Sequence, residues 1–469
     1  MASDAFDLVV IGAGAAGSAV ATAAAGRGFS VALVEEWKVG GTCLNIGCDP
    51  TKALVRCAEV AHLARTASRF GIEVPEVRTD WPAIRAYVNG VIDRIRGGDG
   101  DQELRDQGIT LVKEHGRFVD GTTIVAGDHQ IAGKRILVAT GARPTTPPID
   151  GLDAVGYITS QDVVHLDELP ASIAIIGSGP IGVEFAQIFV RLGVEVTLVG
   201  TRSHILPREE PELRDALLRV LQRDGVHWVP EVRIERAERR GSWKVVRGER
   251  DGAAVEIEAH EILVATGRAP NVEHLGLEAA GIRSNDRGIV VDTRLRTSNP
   301  VVYAVGDVTG IYMFTHVADY QARVAEYNLF DDGEPIKADY RVVPWVTYTN
   351  PELARVGLTE EEARAGGFDV VAGTMPFADL PRAITMDEPT GMVKLVVDRR
   401  ERTILGGHIL GSRAGELIGE VATVMERRIP VDGIIETIHP YPTMSEGIFW
   451  TAYEIVNDLL DTPAGTPRR

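Results

Sequence analysis

Residues Phe6 to Glu36 read FDLVVIGAGAAGSAVATAAAGRGFSVALVEE. An apolar strand, LVVI, meets a glycine-rich turn, then a helix of small residues, then a second apolar strand. Gly12, Gly14 and Gly17 fit G-x-G-x-x-G. The first glycine permits a tight turn, the second lets backbone approach a pyrophosphate, and the third lets helix and strand pack closely. Glu35 ends the second strand, where a carboxylate can accept hydrogen bonds from a ribose. The glycines alone are a weak signal. With strand, helix and acid in this order they specify a dinucleotide fold.

The pattern returns at Ser172 to Leu206, SIAIIGSGPIGVEFAQIFVRLGVEVTLVGTRSHIL, with Gly177, Gly179 and Gly182 as the glycines. Its second strand ends at Gly200, where an acid would stand for NAD. No carboxylate is present there to repel a 2′-phosphate, and Arg202, with His204 nearby, could pair with one. This favours NADPH over NADH. Two dinucleotide folds imply two dinucleotides, a tightly held flavin and an exchangeable nicotinamide.

Two near-copies support the duplication. ILVATGARP (Ile136 to Pro144) and ILVATGRAPN (Ile262 to Asn271) each read as a buried strand ending in a turn where a dinucleotide fold closes. VVYAVGDVTG (Val301 to Gly310) is another buried strand ending in Gly-Asp. These segments contribute Thr140, Gly141, Gly267, Gly306 and Asp307 as candidate cofactor contacts.

The chain has 469 residues, 44% apolar and 25% charged, with a formal net charge of -18. That length predicts about three domains. The acidic balance leaves no basic face for nucleic acid. The amino-terminal MASDAFDLVVIGAG has no basic region and no cleavage site, and the apolar runs are of strand length. A cytoplasmic protein with no membrane partner is expected.

Only three cysteines occur, and two of them, Cys43 and Cys48, share the stretch GGTCLNIGCDPTK (Gly40 to Lys52). A metal site, a structural disulfide and a redox-active dithiol compete here. Zinc wants four ligands; no second pair is evident, and Cys57 falls on an apolar helix, so no metal site is expected. A disulfide closing so small a loop restricts the unfolded chain little. A dithiol directly after a flavin-binding unit fits the surrounding order.

That order resembles the pyridine nucleotide-disulfide oxidoreductases, the group of dihydrolipoamide dehydrogenase, glutathione reductase and mercuric reductase. The resemblance covers the whole chain: FAD fingerprint, C-x4-C, ATG strand, NAD(P) fingerprint, second ATG, GD motif and carboxy-terminal domain. It implies an α/β fold of two Rossmann-like domains plus an α+β interface domain, and FAD and NADPH as cofactors. The implied division is 1–150 and 273–341 for FAD, 151–272 for NAD(P), and 342–469 for the domain that forms a homodimer. It further implies that Cys48 lies nearer the flavin and Cys43 meets the substrate. Gly41 and Thr42 adjoin the flavin, and Lys52 pairs with Glu184 near the flavin ring.

The carboxy-terminal segment departs from the disulfide reductases, which end in H-P-T-x-x-E. Here TIHPYPTMSEG (Thr437 to Gly447) sets Tyr441 at the histidine position, Glu446 on the glutamate, and His439 two positions early. Tyrosine, with a pKa near ~10 against ~6.5 for histidine, is a poor base at neutral pH. Tyrosine here is shared with mercuric reductase, and YPTMSEG and PRAITMDEPTGMVKLVVD look closer to that enzyme than to lipoamide enzymes. Yet the chain shows neither the carboxy-terminal cysteine pair nor the amino-terminal metal-binding domain of mercuric reductase. The only low-complexity stretch is the tail DTPAGTPRR.

The expected function is electron transfer from NADPH through FAD and the dithiol to a metal ion, quinone or other small acceptor. A lipoamide-type disulfide reductase, with Tyr441 or His439 in the acid–base role, is one alternative. A slow flavin redox sensor or electron-delivery partner is the other.

Overall fold

The computed structural model describes residues 5–331 and 333–461. The first four residues and the tail after Asp461 lie outside the described residues.

Strand Leu8–Ile11 buries all four of its side chains. Burial on both faces is what a parallel sheet covered by helices requires. It pairs in parallel with Val31–Val34 and Ile136–Val138, and the outer strands are Thr110–Val112 and Val302–Ala304. Helix α1 (Ala15–Gly26) connects the first two. Its alanines and Gly17 let it lie close against the sheet. Helices α2 (Gly41–Ile46), α3 (Cys48–Thr66) and α4 (Trp81–Arg96) follow. Asp80 starts α4 by accepting the Ala83 N–H, and Gly97 ends it in a left-handed turn.

A second parallel sheet repeats the first. Ser172–Ile176 is flanked by Glu195–Val199 and Glu261–Val264, with His227–Val229 and Ile158–Thr159 outside. Helix α5 (Pro180–Arg191) occupies the place of α1. Each unit also carries an antiparallel three-stranded meander, at residues 116–132 and 233–259.

The two ATG copies do more than close their own units. Ala142–Pro144 pairs antiparallel with Arg268–Pro270. Thr140 Oγ1 donates to the Asn271 carbonyl at 2.7 Å, and Asn271 Nδ2 donates to the Thr140 carbonyl at 2.9 Å. The near-copies are thus the clasp between the two units.

The chain returns to the first unit through Val302–Ala304 and helix α6 (Thr315–Phe330), which packs on α1. The remaining sheet is antiparallel, in the order Pro344–Thr347, Glu352–Gly357, Ile404–Gly411, Met392–Asp398, Val370–Pro376. Helices α7 (Ala414–Glu426) and α8 (Glu446–Asp461) bury Ile418, Val421, Ile448, Ala452 and Ile455 in its core. No described helix is long and apolar enough to cross a membrane.

Candidate redox site

The two glycine turns are built alike. Gly12 has φ +101 and Gly177 has φ +120. A Cβ at either would stand 2.4 Å from the carbonyl of Ala139 or Ala265 respectively. A Cβ at Gly17 or Gly182 would strike the Gly12 or Gly177 carbonyl. At Gly14 and Gly179, by contrast, a Cβ would meet nothing within 4 Å. These two glycines are the amino-terminal caps of α1 and α5, and neither helix end carries a side-chain cap. Free N–H groups at the positive end of a helix, facing open space, are the donors a pyrophosphate needs. The residues therefore fit two dinucleotides.

At the first turn, the Glu35 carboxylate accepts the N–H groups of Ala13 (2.6 Å) and Trp37 (2.7 Å). Gly41 has φ +59, and a Cβ there would come 2.8 Å from Gly14 Cα. Only glycine lets the loop bearing the thiols lie against the cradle. Thr42 follows in the first turn of α2. The Gly306 N–H donates to Gln321 at 2.6 Å. Asp307 pairs with Arg268 at 2.7 Å, so the second ATG copy reaches into the first unit. Burial raises the Asp307 pKa, opposed by Arg268. The Gly141 carbonyl accepts the Asn271 N–H, and the Gly267 carbonyl accepts the Thr145 N–H, both within the clasp.

At the second turn, a Cβ on Gly200 would lie 2.5 Å from the Trp228 ring and 2.6 Å from Ser178 Oγ. The missing acid thus has a steric correlate: a side chain at that strand end would require Trp228 and Ser178 to shift. Arg202 is exposed, and its side chain makes no ion pair with a described residue. His204 contacts Ser203 at 3.1 Å.

The two cysteines open two consecutive helices. Cys43 is in the first turn of α2 and Cys48 is the first residue of α3, with Gly47 between them. Both are free thiols, Cys43 half-buried and Cys48 exposed. Thr315, the first residue of α6, joins them. Its hydroxyl lies 3.1 Å from Cys43 Sγ and 3.5 Å from Cys48 Sγ. The hydrogen bond from Cys43 holds Cys48 down to about 6; Thr315 and the Lys52 charge assist, against the partial desolvation of a sulfur packed beside Cys43 and Thr315 though open to solvent on its other side. The same hydrogen bond and burial push Cys43 far up. The pair is poised with one proton on Cys43 and a thiolate at Cys48, at the positive ends of helices.

Lys52, one turn along α3, pairs with Glu184 of α5 at 2.7 Å. The other Glu184 oxygen accepts the Tyr348 N–H at 2.8 Å. Cys57 is half-buried farther along α3, with its pKa raised by burial.

The carboxy-terminal segment stands apart from these thiols. Tyr441 is 73% exposed and Ile438 95% exposed. Glu446 accepts the Thr443 N–H at 3.1 Å, holding the start of α8. His439 is held by Glu420 at 2.8 Å and by the Thr437 carbonyl at 3.0 Å. The histidine's carboxylate partner is therefore Glu420 of α7, not Glu446. Among the described residues no group of three or more His, Cys, Asp or Glu could hold a metal ion.

Sequence reading missed Thr315, Tyr348 and Glu420. Thr315 had a local signal, a hydroxyl residue opening a helix after the apolar YMF, but nothing local could tie it to cysteines so far back. Tyr348 and Glu420 carry no local signal.

The comparisons agree with this construction. The family of pyridine nucleotide-disulphide oxidoreductases matches residues 6–322, and its dimerisation domain matches residues 343–452. A mercuric reductase of Bacillus cereus is 37% identical over 444 residues, 94% of this chain and 70% of its own. A dihydrolipoyl dehydrogenase of Thermus scotoductus is 36% identical over 453 residues, 95% of this chain and 96% of its own. Among solved structures, the Cu(II) complex of the HOCl-induced flavoprotein disulfide reductase RclA from Escherichia coli aligns with a TM-score of 0.85. It is 33% identical, over 94% of this chain and 98% of that one. With two dinucleotide cradles and a close cysteine pair in one fold, the chain belongs to the pyridine nucleotide-disulphide oxidoreductase family, an FAD-dependent family of enzymes that use NAD(P)H.

Proposed function

We propose that this protein is an NADPH-dependent reductase that passes electrons through FAD and the Cys43–Cys48 pair to a metal ion or other small acceptor. In this reading residues 1–150 and 273–341 hold FAD, residues 151–272 hold NADPH, and residues 342–469 form a homodimer interface in the cytoplasm. Flavin chemistry supplies the two-electron relay between a nicotinamide hydride and a disulfide. The chain's own residues supply the rest. Gly14 and Gly179 turn backbone donors toward the pyrophosphates, Arg202 meets the 2′-phosphate, and Lys52 sets positive charge beside the thiols.

One observation carries the acceptor class. Tyrosine, not histidine, stands at position 441, and among the described residues of one chain Thr315 alone hydrogen-bonds the two sulfurs from outside the pair. A threonine hydroxyl can stabilise a thiolate but does not exchange protons near neutral pH. A disulfide substrate needs a proton for its departing sulfur; a metal ion does not. With Cu(II), two ions each take one electron. The thiol and the thiolate together release one proton and close to a disulfide, which the next hydride reopens to thiol and thiolate. Soft thiolates suit such ions. The relatives named as mercuric reductases and the Cu(II) complex of the RclA reductase support this reading.

The test is steady-state turnover with NADPH and NADH against Hg(II), Cu(II), quinones, lipoamide and glutathione disulfide. Turnover with a metal ion or quinone, faster with NADPH, is expected. Rapid lipoamide turnover would overturn the acceptor class. Flavin retention without turnover on any of them would favour a redox sensor.

A further inference from the structure

Helix α5 is apolar apart from a polar stripe, Glu184, Gln187 and Arg191, all buried. Their spacing sets them on one face. That face grips the loop after strand Pro344–Thr347. The Asn350 N–H donates to Gln187 Oε1 at 2.7 Å, and Gln187 Nε2 donates to the Asn350 carbonyl at 2.9 Å. Arg191 donates to the same carbonyl at 3.0 Å and to Asn350 Oδ1 at 3.2 Å. Glu184 takes the Tyr348 N–H. The backbone of Tyr348 is therefore fixed independently of its ring.

The ring itself lies against Lys52. The ammonium stands 4.4 Å from the ring centroid and 2.7 Å from Glu184. One cation thus has an anion from α5 and an aromatic face from the third sheet unit, while its own stem comes from α3. The Tyr348 hydroxyl hydrogen-bonds no described residue, so the ring face is the part in use. A ring face attracts a cation within about 6 Å of its centroid.

We propose that Tyr348 is a positioning residue of the redox centre: its ring, with Glu184, fixes the Lys52 ammonium beside Cys48. Lys52 is one of the groups that favour the Cys48 thiolate. Without the ring, Lys52 is held on one side only and swings away on its flexible stem. The charged and titratable groups around it are Glu184 on α5, Cys48 and Asp49 on α3, and Glu352 and Glu416 near the ring. Four of these five are carboxylates, so a displaced ammonium has other partners to drift toward.

The inference rests on the dithiol reading, and the test keeps the two apart. The experiment uses holoenzyme in a Cys43→Ser background. The pH dependence of iodoacetamide alkylation is read on the Cys48 peptide by mass spectrometry. Tyr348→Leu should move the midpoint up by about half a unit. Tyr348→Phe, which keeps the ring, should match the parent. On a Lys52→Met background, Tyr348→Leu should add nothing. An unchanged midpoint in Tyr348→Leu overturns the proposal. So does an equal shift in Tyr348→Phe, or a Leu shift that persists without Lys52. Failure of oxidised wild-type protein to show a Cys43–Cys48 disulfide by peptide mass spectrometry would sink the dithiol reading alone, because the proposal depends only on differences between midpoints.

Discussion

The Thr315 hydroxyl lies 3.1 Å from Cys43 Sγ across 272 positions of sequence. It is also 3.5 Å from Cys48 Sγ, and so touches both sulfurs of the pair. Whichever sulfur is ionised, the donor is already in place. Thr315→Val keeps the shape and removes the donor. The expected result is a rise of about 1 unit in the pH midpoint of Cys48 alkylation, the size of one hydrogen bond to a charged sulfur. Thr315→Ser should restore the midpoint. A Val variant that titrates like the parent would refute the role.

Cys48 carries the low thiol pKa, about 6, and Cys43 the high one. Replacing Cys48 with Ser should abolish the long-wavelength charge-transfer absorbance of the two-electron-reduced holoenzyme. Replacing Cys43 with Ser should keep it and remove acceptor turnover. In wild type that absorbance should fade as pH falls through about 6, because protonation removes the thiolate donor. A band that survives in the Cys48 variant contradicts the assignment.

Arg202 extends from a strand end where a side chain at Gly200 would require Trp228 and Ser178 to shift. In the proposed NADPH reading, discrimination between nicotinamide cofactors rests on attraction by Arg202, since no carboxylate stands at that position to repel the phosphate. Arg202→Ala should weaken NADPH binding roughly tenfold, by loss of a charge-assisted hydrogen bond. NADH binding should change little. Titration of each cofactor by quenching of intrinsic fluorescence measures both, and equal losses would remove the phosphate role.

Those residues also show what a sequence can disclose. Gly12, Gly17, Gly177 and Gly182 were legible because each must lack a Cβ for a local backbone reason, and local reasons leave local patterns. The pair Lys52–Glu184 followed only from resemblance. Tyr348 and Thr315 arrive from distant segments, and nothing in WVTYTNP or MFTHVA marks a neighbour of cysteines so far away. The meander at 233–259 was hidden by its charges. Its strand RIERAERR has only Ile234 and Ala237 as apolar residues, and Arg240 bridges Glu256 and Glu258 across strands. Glu420 was missed because helix α7 and the HPYPT turn meet only in the folded domain, where the histidine's carboxylate comes from a different element than spacing suggests.

The junction between the second sheet unit and the carboxy-terminal unit gives the last prediction. Lys394 is buried and pairs with Glu210 (3.0 Å), Glu212 (2.8 Å) and Glu360 (3.0 Å). Beside it, His408 is 1% exposed, donates from Nε2 to the Leu358 carbonyl at 3.0 Å, and leaves Nδ1 without a partner among the described residues. Burial pushes its pKa down to about 3, helped by the Arg355 and Lys394 charges and opposed by the Leu358 carbonyl. The folded chain therefore keeps His408 neutral while the unfolded chain takes a proton below about 6.5. Between those values the unfolded state binds more protons, so stability falls as pH falls, with a ceiling on the order of 5 kcal/mol. The thermal midpoint should drop from pH 6.5 toward pH 4, and His408→Gln, which cannot be protonated, should flatten that slope. Lys394→Ala should instead lower the stability already at pH 7, by roughly 3 kcal/mol, because it removes the cation facing the buried Glu210 carboxylate. An acid slope unchanged in His408→Gln would mean that carboxylates elsewhere carry it.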